Sequence, residues 1–173
     1  MDKFIIRQSQ KWGVVVRKLD IDINFEKRLI PIEKCGIFLK NSVDLDKTTI
    51  DYHKLIEAVQ PIIMKEFKID ISKLSCVRKI LIHYCDGGDV NLKEHIDDSL
   101  ITVNFCVSDE YNGNELVFVN SEKIPTTNIY IPKFGNYPIH QQKNWVYIHW
   151  GHHKHKTNTL TSGERHSVIL WFK

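Results

Sequence analysis

The feature that most constrains the fold is a succession of short apolar segments in the second half of the chain. These segments, rich in β-branched and aromatic side chains, cover residues 77–84, 100–107, 116–119, 145–150 and 166–172. Turn-forming stretches such as Asn112-Gly113-Asn114 and Ser162-Gly163 separate them. Runs of this length and composition are typical of strands rather than helices. We therefore expect a mainly antiparallel sheet that folds over as a sandwich or barrel.

A single stretch before this region has the periodicity of a helix. Thr48 and Asp51 have the spacing of a capping box, and Pro61 predicts a kink or a restart of the helix. The apolar residues that recur at helical spacing are Ile50, Leu55, Ile56, Val59, Ile62, Ile63 and Phe67. Residues 12–17 and 36–39 have strand composition. We expect an N-terminal β portion and one helix packed on the sheet.

Length and charge exclude several classes of protein. A chain of 173 residues with 42% hydrophobic residues is expected to form one domain with a core able to hold a polar cavity. The 24 basic and 21 acidic residues are mixed along the chain, which argues against nucleic acid as a partner. No segment has the length of a signal peptide or a membrane span, so a soluble intracellular protein without a membrane partner is expected. The oligomeric state stays open.

The cysteines give no sign of a metal knuckle or a redox pair. They lie far apart and form no CxxC motif, at positions Cys35, Cys76, Cys85 and Cys106. We expect reduced thiols that are mostly buried.

The sequence His95-Ile-Asp97 is a candidate for metal binding. Residues two apart on an extended chain project from the same face, so the imidazole and the carboxylate can reach one ion. A second histidine from another strand would complete a two-histidine, one-carboxylate set, which leaves open positions on Fe(II). The alternative is a surface histidine beside a solvated aspartate. The second histidine would come from a group of four, His149, His152, His153 and His155.

Arg165 strengthens this interpretation. It follows His155 by ten residues and begins an apolar strand, on which Arg165, Ser167, Ile169 and Trp171 share a face. A guanidinium held beside a metal ligand suits a dicarboxylate, because it binds one carboxylate with two hydrogen bonds while the other end reaches the metal. An exposed arginine or an ordinary ion pair is the alternative.

The stretch of residues 120–144 contains Pro125, Pro132 and Pro138. We expect a long connection with a short strand near Ile129. Such a loop is either functional or a surface excursion.

Taken together, these motifs resemble the Fe(II)/2-oxoglutarate dioxygenases. The resemblance rests on His95-Ile-Asp97, Thr102-Val-Asn104, Gly113-Asn-Glu-Leu116-Val-Phe118, Trp145-Val-Tyr-Ile-His149-Trp-Gly151, and His155 with Arg165. It covers residues 77–171 and is closest to the prolyl and lysyl hydroxylase branch, especially the lysyl hydroxylase catalytic domain and its small relatives. It implies an α+β, mainly β fold: a double-stranded β-helix, or jelly roll, with a supporting N-terminal helix.

The resemblance also implies the site and its chemistry. His95, Asp97 and His155 would hold Fe(II) as the catalytic centre, and Arg165 would bind the distal carboxylate of 2-oxoglutarate. Tyr84 and Asn104 match positions that contact this co-substrate, although a core aromatic and a polar strand residue are the alternatives. O2 would be the second co-substrate and ascorbate an accessory cofactor. Residues 1–173 would be one domain, with 1–75 as support and 76–173 as the catalytic core.

Some points differ from the family or stay open. The ten-residue spacing to Arg165 selects His155, with His153 as the alternative, and leaves His149 and His152 as neighbours of the site. Asn114 stands where a second glycine is usual.

The expected activity is hydroxylation of an unactivated C–H bond, with a lysyl or prolyl side chain of a protein or peptide as substrate and 2-oxoglutarate converted to succinate and CO2. A free amino acid or small metabolite is an alternative substrate. A metal-binding jelly-roll interaction module without turnover is the alternative of another class.

Overall fold

In the computed structural model of the protein, the helix is the element that anchors one side of the sheet. The structure describes residues 13–21, 23, 42–86, 90–108, 110–124 and 129–173. The helix, Tyr52–Phe67, buries Leu55, Val59, Ile63 and Phe67, which lie four residues apart on one stripe. It ends where Lys68 adopts a left-handed conformation. Single-turn 3-10 helices, Leu45–Lys47 and Ile71–Lys73, flank it.

The start of the helix and its proline differ from the sequence-based expectation. The capping box is wrong, because the Thr48 hydroxyl donates to the Leu45 carbonyl at 2.8 Å and so belongs to the preceding turn. Asp51 occupies the cap position without a side-chain hydrogen bond. The helix continues through Pro61 without restarting. Pro61 is exposed, so water can solvate the carbonyl that loses its helical donor.

The described residues form twelve strands: β1 Val14–Lys18, β2 Ser42–Asp44, β3 Cys76–Tyr84, β4 Leu92–His95, β5 Ile101–Cys106, β6 Tyr111–Gly113, β7 Leu116–Ile124, β8 Ile129–Ile139, β9 Trp145–Trp150, β10 His155–Thr157, β11 Leu160–Gly163 and β12 Arg165–Phe172. Ten of them form one antiparallel sheet in the order β2-β3-β12-β5-β9-β1-β8-β7-β10-β4, and β11 pairs with β6. This ten-stranded antiparallel sheet corresponds to the expected jelly roll.

Strand alternation divides the interior into two cores. On β12, Val168, Leu170 and Phe172 belong to the apolar cluster under the helix, whereas Ile169 belongs to a second cluster on the other face. Tyr84 of β3 lies in this second cluster. Because successive side chains point to opposite faces, the helix covers one face of the central strands and leaves the other free to line a cavity.

The expected loop of residues 120–144 is largely strand. Strands β7 and β8 form a long hairpin, with Val117 opposite Pro138 and Ile124 opposite Ile129. Among the described residues, β1 pairs with β8 at Ile129 and Tyr130. Pro132 and Pro138 lie in this hairpin, opposite Ser121 and Val117 of β7.

Three further expectations concern the N-terminal strands, the cysteines and the absence of a membrane span. The segment of residues 12–17 forms β1 from Val14 onward, and the strand expected at 36–39 lies outside the described residues, as does Cys35. Of the three described cysteines only Cys106 is buried, so the expectation of mostly buried thiols is wrong for these positions. Among the residues that the structure describes, no helix combines the length and apolar character needed to cross a membrane.

Candidate active site

Two neighbouring strands bring distant histidines together. Strand β4 ends at His95, and β10 begins at His155, directly opposite it in the antiparallel register. The rings of these two residues lie 4.3 Å apart. Asp97 follows β4 by two residues. Tertiary pairing therefore places two imidazoles and a carboxylate at one corner of the sheet.

The donor atoms of this group are close enough to share one ion. One nitrogen or oxygen atom from each of His95, Asp97 and His155 lies within 4.8 Å of the others. The Asp97 Oδ1 atom is 3.4 Å from His95 Nε2 and 3.8 Å from His155 Nε2.

Backbone hydrogen bonds orient both imidazoles. The Nδ1 atom of His95 lies 2.7 Å from the Lys93 carbonyl, and that of His155 lies 2.9 Å from the His153 carbonyl. A carbonyl accepts only, so Nδ1 of each ring carries a proton, and Nε2, the nitrogen that can bind an ion, faces the group.

The Asp97 carboxylate has further partners that sequence reasoning missed. The Thr102 hydroxyl donates to Asp97 Oδ2 at 2.6 Å, and His149 Nε2 lies 3.9 Å from the same oxygen. Burial favours the neutral acid. Hydrogen bonds from His95 and Thr102 and the nearby imidazoles outweigh it, and hold the pKa of Asp97 well below its usual range. Asp97 is therefore ionised at neutral pH.

The remaining histidines differ in burial and position. Burial lowers the pKa of His149 to about 3 and that of His153 to about 4, so both are neutral near pH 7. Burial also lowers the pKa of His155. His153 packs against Phe118 at 4.9 Å and is not part of the three-residue donor group, and His152 is exposed. His149 lies next to the donor group, with its Nε2 atom 3.9 Å from Asp97 Oδ2, as expected for a neighbour of the site.

A glycine permits the close approach of the Asp97 loop. A Cβ atom at Gly151 would lie 1.9 Å from the carbonyl oxygen of Ser99. The Gly151 carbonyl accepts from the Asp97 N–H at 2.8 Å, and its N–H donates to Leu100 at 3.1 Å. Any larger residue would push this loop, and with it the carboxylate, away from β9.

A cavity of about 720 Å³ joins this group to Arg165. It is lined from β3 and β12 by alternate residues: Arg78, Ile80, Ile82, Tyr84, Arg165, Ser167, Ile169 and Trp171. The expectation that Arg165 and Trp171 point the same way, into the interior, is confirmed.

Arg165 is a buried cation with two nitrogen atoms that make no hydrogen bond to the described residues. Only 1% of it is exposed, and its Nε and Nη1 atoms make no hydrogen bond. Its guanidinium lies over the ring of Tyr84, 4.5 Å from the centroid, as a cation–π pair. Tyr84 is opposite Arg165 in the ladder between β3 and β12. Buried unsatisfied donors on a charged group are costly, so this end of the cavity is suited to an anion.

Asn104 faces the same cavity between the two ends. Its Oδ1 atom accepts a hydrogen bond from Gln141 Nε2 at 3.0 Å, which directs the side-chain amide nitrogen elsewhere. The Gln141 carbonyl in turn accepts from the Tyr111 hydroxyl. Sequence reasoning missed Gln141 because it lies in the stretch expected to be a loop. The sequence signal for Gln141 is its position four residues before the apolar segment 145–150.

The structure explains how asparagine can occupy position 114, where the resemblance predicts a second glycine. It is buried with φ of 52°, a conformation that favours glycine but that asparagine tolerates. Its side-chain nitrogen donates to the carbonyls of Val90 at 2.9 Å and Asn158 at 3.0 Å. The amide thereby ties together chain segments next to β4 and β10.

Comparison of the sequence with curated proteins finds relatives of one kind. The 2-oxoglutarate and iron-dependent oxygenase domain-containing protein ICU11 of Arabidopsis thaliana is 31% identical over 99 residues, 53% of this chain and 23% of that protein. Protein CP2 of the same designation and organism is 28% identical over 120 residues, covering 68% and 30%. The Xenopus tropicalis 2-oxoglutarate and iron-dependent oxygenase domain-containing protein 2 is 23% identical over 157 residues, covering 87% and 43%.

The chain therefore spans less than half the length of each of these relatives. No family model matches the sequence.

Solved structures share the fold. A Pseudomonas putida prolyl-4-hydroxylase matches with a TM-score of 0.60 at 9% identity, over 98% of this chain and 97% of that chain. The non-heme alpha ketoglutarate dependent carbocyclase SnoK from nogalamycin biosynthesis matches with a TM-score of 0.65 at 10% identity, over 99% and 83%. A Trichoplax adhaerens prolyl hydroxylase, solved with a hypoxia inducible factor peptide fragment, gives 0.58 at 10% identity, over 97% and 86%. The expected jelly roll is confirmed.

Proposed function

We propose that this chain, a relative of the 2-oxoglutarate- and iron-dependent oxygenases in sequence and fold, is an Fe(II)- and 2-oxoglutarate-dependent hydroxylase. The similarity to proteins of that designation confirms the resemblance indicated by the motifs. The proposed substrate is a lysyl or prolyl side chain of a protein or peptide. Residues 1–173 are proposed to act as one domain, with 76–173 as the catalytic core.

The donor set fits iron. Two imidazoles with their Nε2 atoms turned inward, and one ionised carboxylate, are the ligands that non-heme Fe(II) takes on one face. Two ligands about 2.1 Å from an ion and at right angles to each other are about 3 Å apart. The 3.4 and 3.8 Å separations from Asp97 need only small side-chain shifts to reach this value. We assign His95, Asp97 and His155 as the ligands.

Arg165 carries the proposal. A buried guanidinium with two unsatisfied donors, in the cavity that also holds the histidine and aspartate donors, is best explained by a ligand with two acidic ends. 2-Oxoglutarate is such a ligand. Tyr84 supports the guanidinium from one side, and the Asn104 amide nitrogen is available to a carboxylate oxygen between the two ends. A metal site of purely structural purpose would leave the buried charge unexplained.

Each residue then has a defined part. Bound Fe(II), with 2-oxoglutarate and O2, supplies the oxidation, in which the 2-oxo acid becomes succinate and CO2 and one oxygen enters a C–H bond. Asp97 stays ionised, Thr102 and Gly151 hold it in place, and His95 and His155 turn their Nε2 atoms toward it. Apolar walls formed by Ile80, Ile82 and Ile169 exclude water from the cavity. Ascorbate is proposed as an accessory reductant.

The peptide substrate is supported by two observations. Two of the matching structures are prolyl hydroxylases, one of them solved with a peptide fragment. The exposed side chain of Ile96, 57% accessible, lies at the mouth of the cavity, where an extended peptide can contact it.

The test compares wild type with Asp97→Asn and Asp51→Asn. Candidate peptides are incubated with Fe(II), 2-oxoglutarate and ascorbate, and products are followed by succinate formation and by mass spectrometry for the gain of one oxygen atom. We expect Asp97→Asn to be inactive, while Asp51→Asn, at an exposed aspartate that does not line the cavity, keeps wild-type activity. Oxygen gain on free amino acids alone would replace the peptide by a small substrate. Metal binding without any effect of 2-oxoglutarate would favour an interaction module.

A further inference from the structure

A second cluster of donor atoms lies on the opposite face of the strands that carry Arg165 and Tyr84. His83 belongs to β3, His166 to β12, and Glu164 immediately precedes β12. One donor atom from each of these three residues lies within 4.8 Å of the others. Alternation turns them away from the cavity, and none of the three lines it.

One separation within this cluster is that of two ligands on one ion. His83 Nε2 and Glu164 Oε2 are 3.1 Å apart. Two ligands about 2.0–2.1 Å from a metal, at angles between 90° and tetrahedral, are separated by about 2.9–3.4 Å. His83 and His166 are opposite each other in the ladder, and their rings stack at 4.2 Å with an interplanar angle of 11°. The two rings are therefore parallel, and one of them has to rotate before both lone pairs can point at one ion beside the Glu164 carboxylate.

The backbone around the cluster is held by specific contacts. Gly163 has φ of 77°, and a Cβ atom there would lie 2.1 Å from the Glu110 carbonyl oxygen, so the turn leading to Glu164 requires glycine. The His166 N–H donates to the Ser108 hydroxyl at 2.8 Å, and its carbonyl accepts from Val107 at 3.0 Å. The backbone positions from which Glu164 and His166 project are thus held by the fold.

We propose that His83, Glu164 and His166 form a second divalent-cation site, selective for borderline transition metals such as Zn(II). Two imidazoles and one carboxylate suit Zn(II), and Co(II) can replace it as a spectroscopic probe. The side chains of His83 and Glu164 are 18% and 36% exposed, so solvent can complete the coordination. Glu164 and His166 flank Arg165 in the chain. An ion bound here stabilises the start of β12, on the sheet face opposite the Arg165 guanidinium.

The competing explanation is a simple ion pair between His83 and Glu164. The two explanations differ in stoichiometry, which is measured on a chain whose first donor group has been removed by His95→Ala and Asp97→Ala. Titrations with Co(II), followed by visible absorbance, and with Zn(II), followed by calorimetry, are expected to show one bound ion per chain. The result does not depend on the proposed function, because the iron site is absent from this variant.

Further substitutions in the same background identify the ligands. His83→Ala and Glu164→Gln are each expected to weaken Zn(II) binding more than tenfold, since loss of even an indirect supporting contact costs about 10–100-fold. His53→Ala, which removes a surface histidine stacked on Tyr52, is the matched control and is expected to leave affinity unchanged. Circular dichroism of each metal-free variant checks the fold. Absence of binding in the parent variant, or affinity unaffected by both substitutions, would overturn the proposal.

Discussion

Replacement of Arg165 by methionine should make the ligand-free protein more stable while abolishing its response to 2-oxoglutarate. In the wild type only 1% of Arg165 is exposed, and two nitrogen atoms of its guanidinium make no hydrogen bond. Methionine has a similar length and no charge, so it fills the same space and leaves no donor unsatisfied. A residue retained for binding is expected to cost stability in the absence of its ligand.

The magnitude follows from the contacts. Unsatisfied buried donors cost about 1–3 kcal/mol, a penalty that the substitution removes. The cation–π contact with Tyr84 at 4.5 Å is lost, but a sulfur–aromatic contact worth about 0.3–1.5 kcal/mol takes its place. We expect the free energy of unfolding to rise by about 1–2 kcal/mol. For a chain of this size, about 2–4 °C per kcal/mol gives an increase in Tm of about 2–8 °C.

Thermal unfolding with Mn(II), in the presence and absence of 2-oxoglutarate, measures both effects. Saturation at 100 times Kd should add about 2.7 kcal/mol to the wild type and nothing to Arg165→Met. Arg78→Met is the matched control, because Arg78 lines the same cavity but is half-buried and stacks on Trp171. Its ligand-free stability should not rise. A destabilised Arg165→Met protein that still responds to 2-oxoglutarate would refute the reasoning.

Three further outcomes are expected. Thr102→Val removes the hydrogen bond to Asp97 and should weaken Mn(II) binding about 10–100-fold by calorimetry, so an unchanged Kd would show that the hydroxyl does not support the ligand. His155→Ala should eliminate stabilisation by Mn(II) with 2-oxoglutarate, whereas His153→Ala should retain it; the reverse result would make His153 the ligand. Leu55→Ala should lower the free energy of unfolding by about 2–5 kcal/mol in urea denaturation, and a loss below 1 kcal/mol would contradict the packing of the helix.

Local patterns were sufficient for the main elements and for the candidate residues. The periodicity between Leu55 and Phe67 predicted the helix, and alternation on β12 predicted that Arg165 and Trp171 share a face. Prediction failed where a pairing partner decided the outcome. Pro132 and Pro138 indicate a loop in any local analysis, yet both lie in β8, opposite Ser121 and Val117 of β7.

The amino-acid order alone therefore determined which side chains were available for chemistry: a histidine and an aspartate two residues apart, further histidines downstream, and an arginine leading an apolar strand. Only the tertiary structure decided which of them meet. The pairing of β4 with β10 places His155 opposite His95, and the close approach at Gly151 positions Asp97 beside Thr102. The reason is physical: strand register and backbone contact join residues about sixty positions apart, and such distances carry no signal in the spacing of a single sequence.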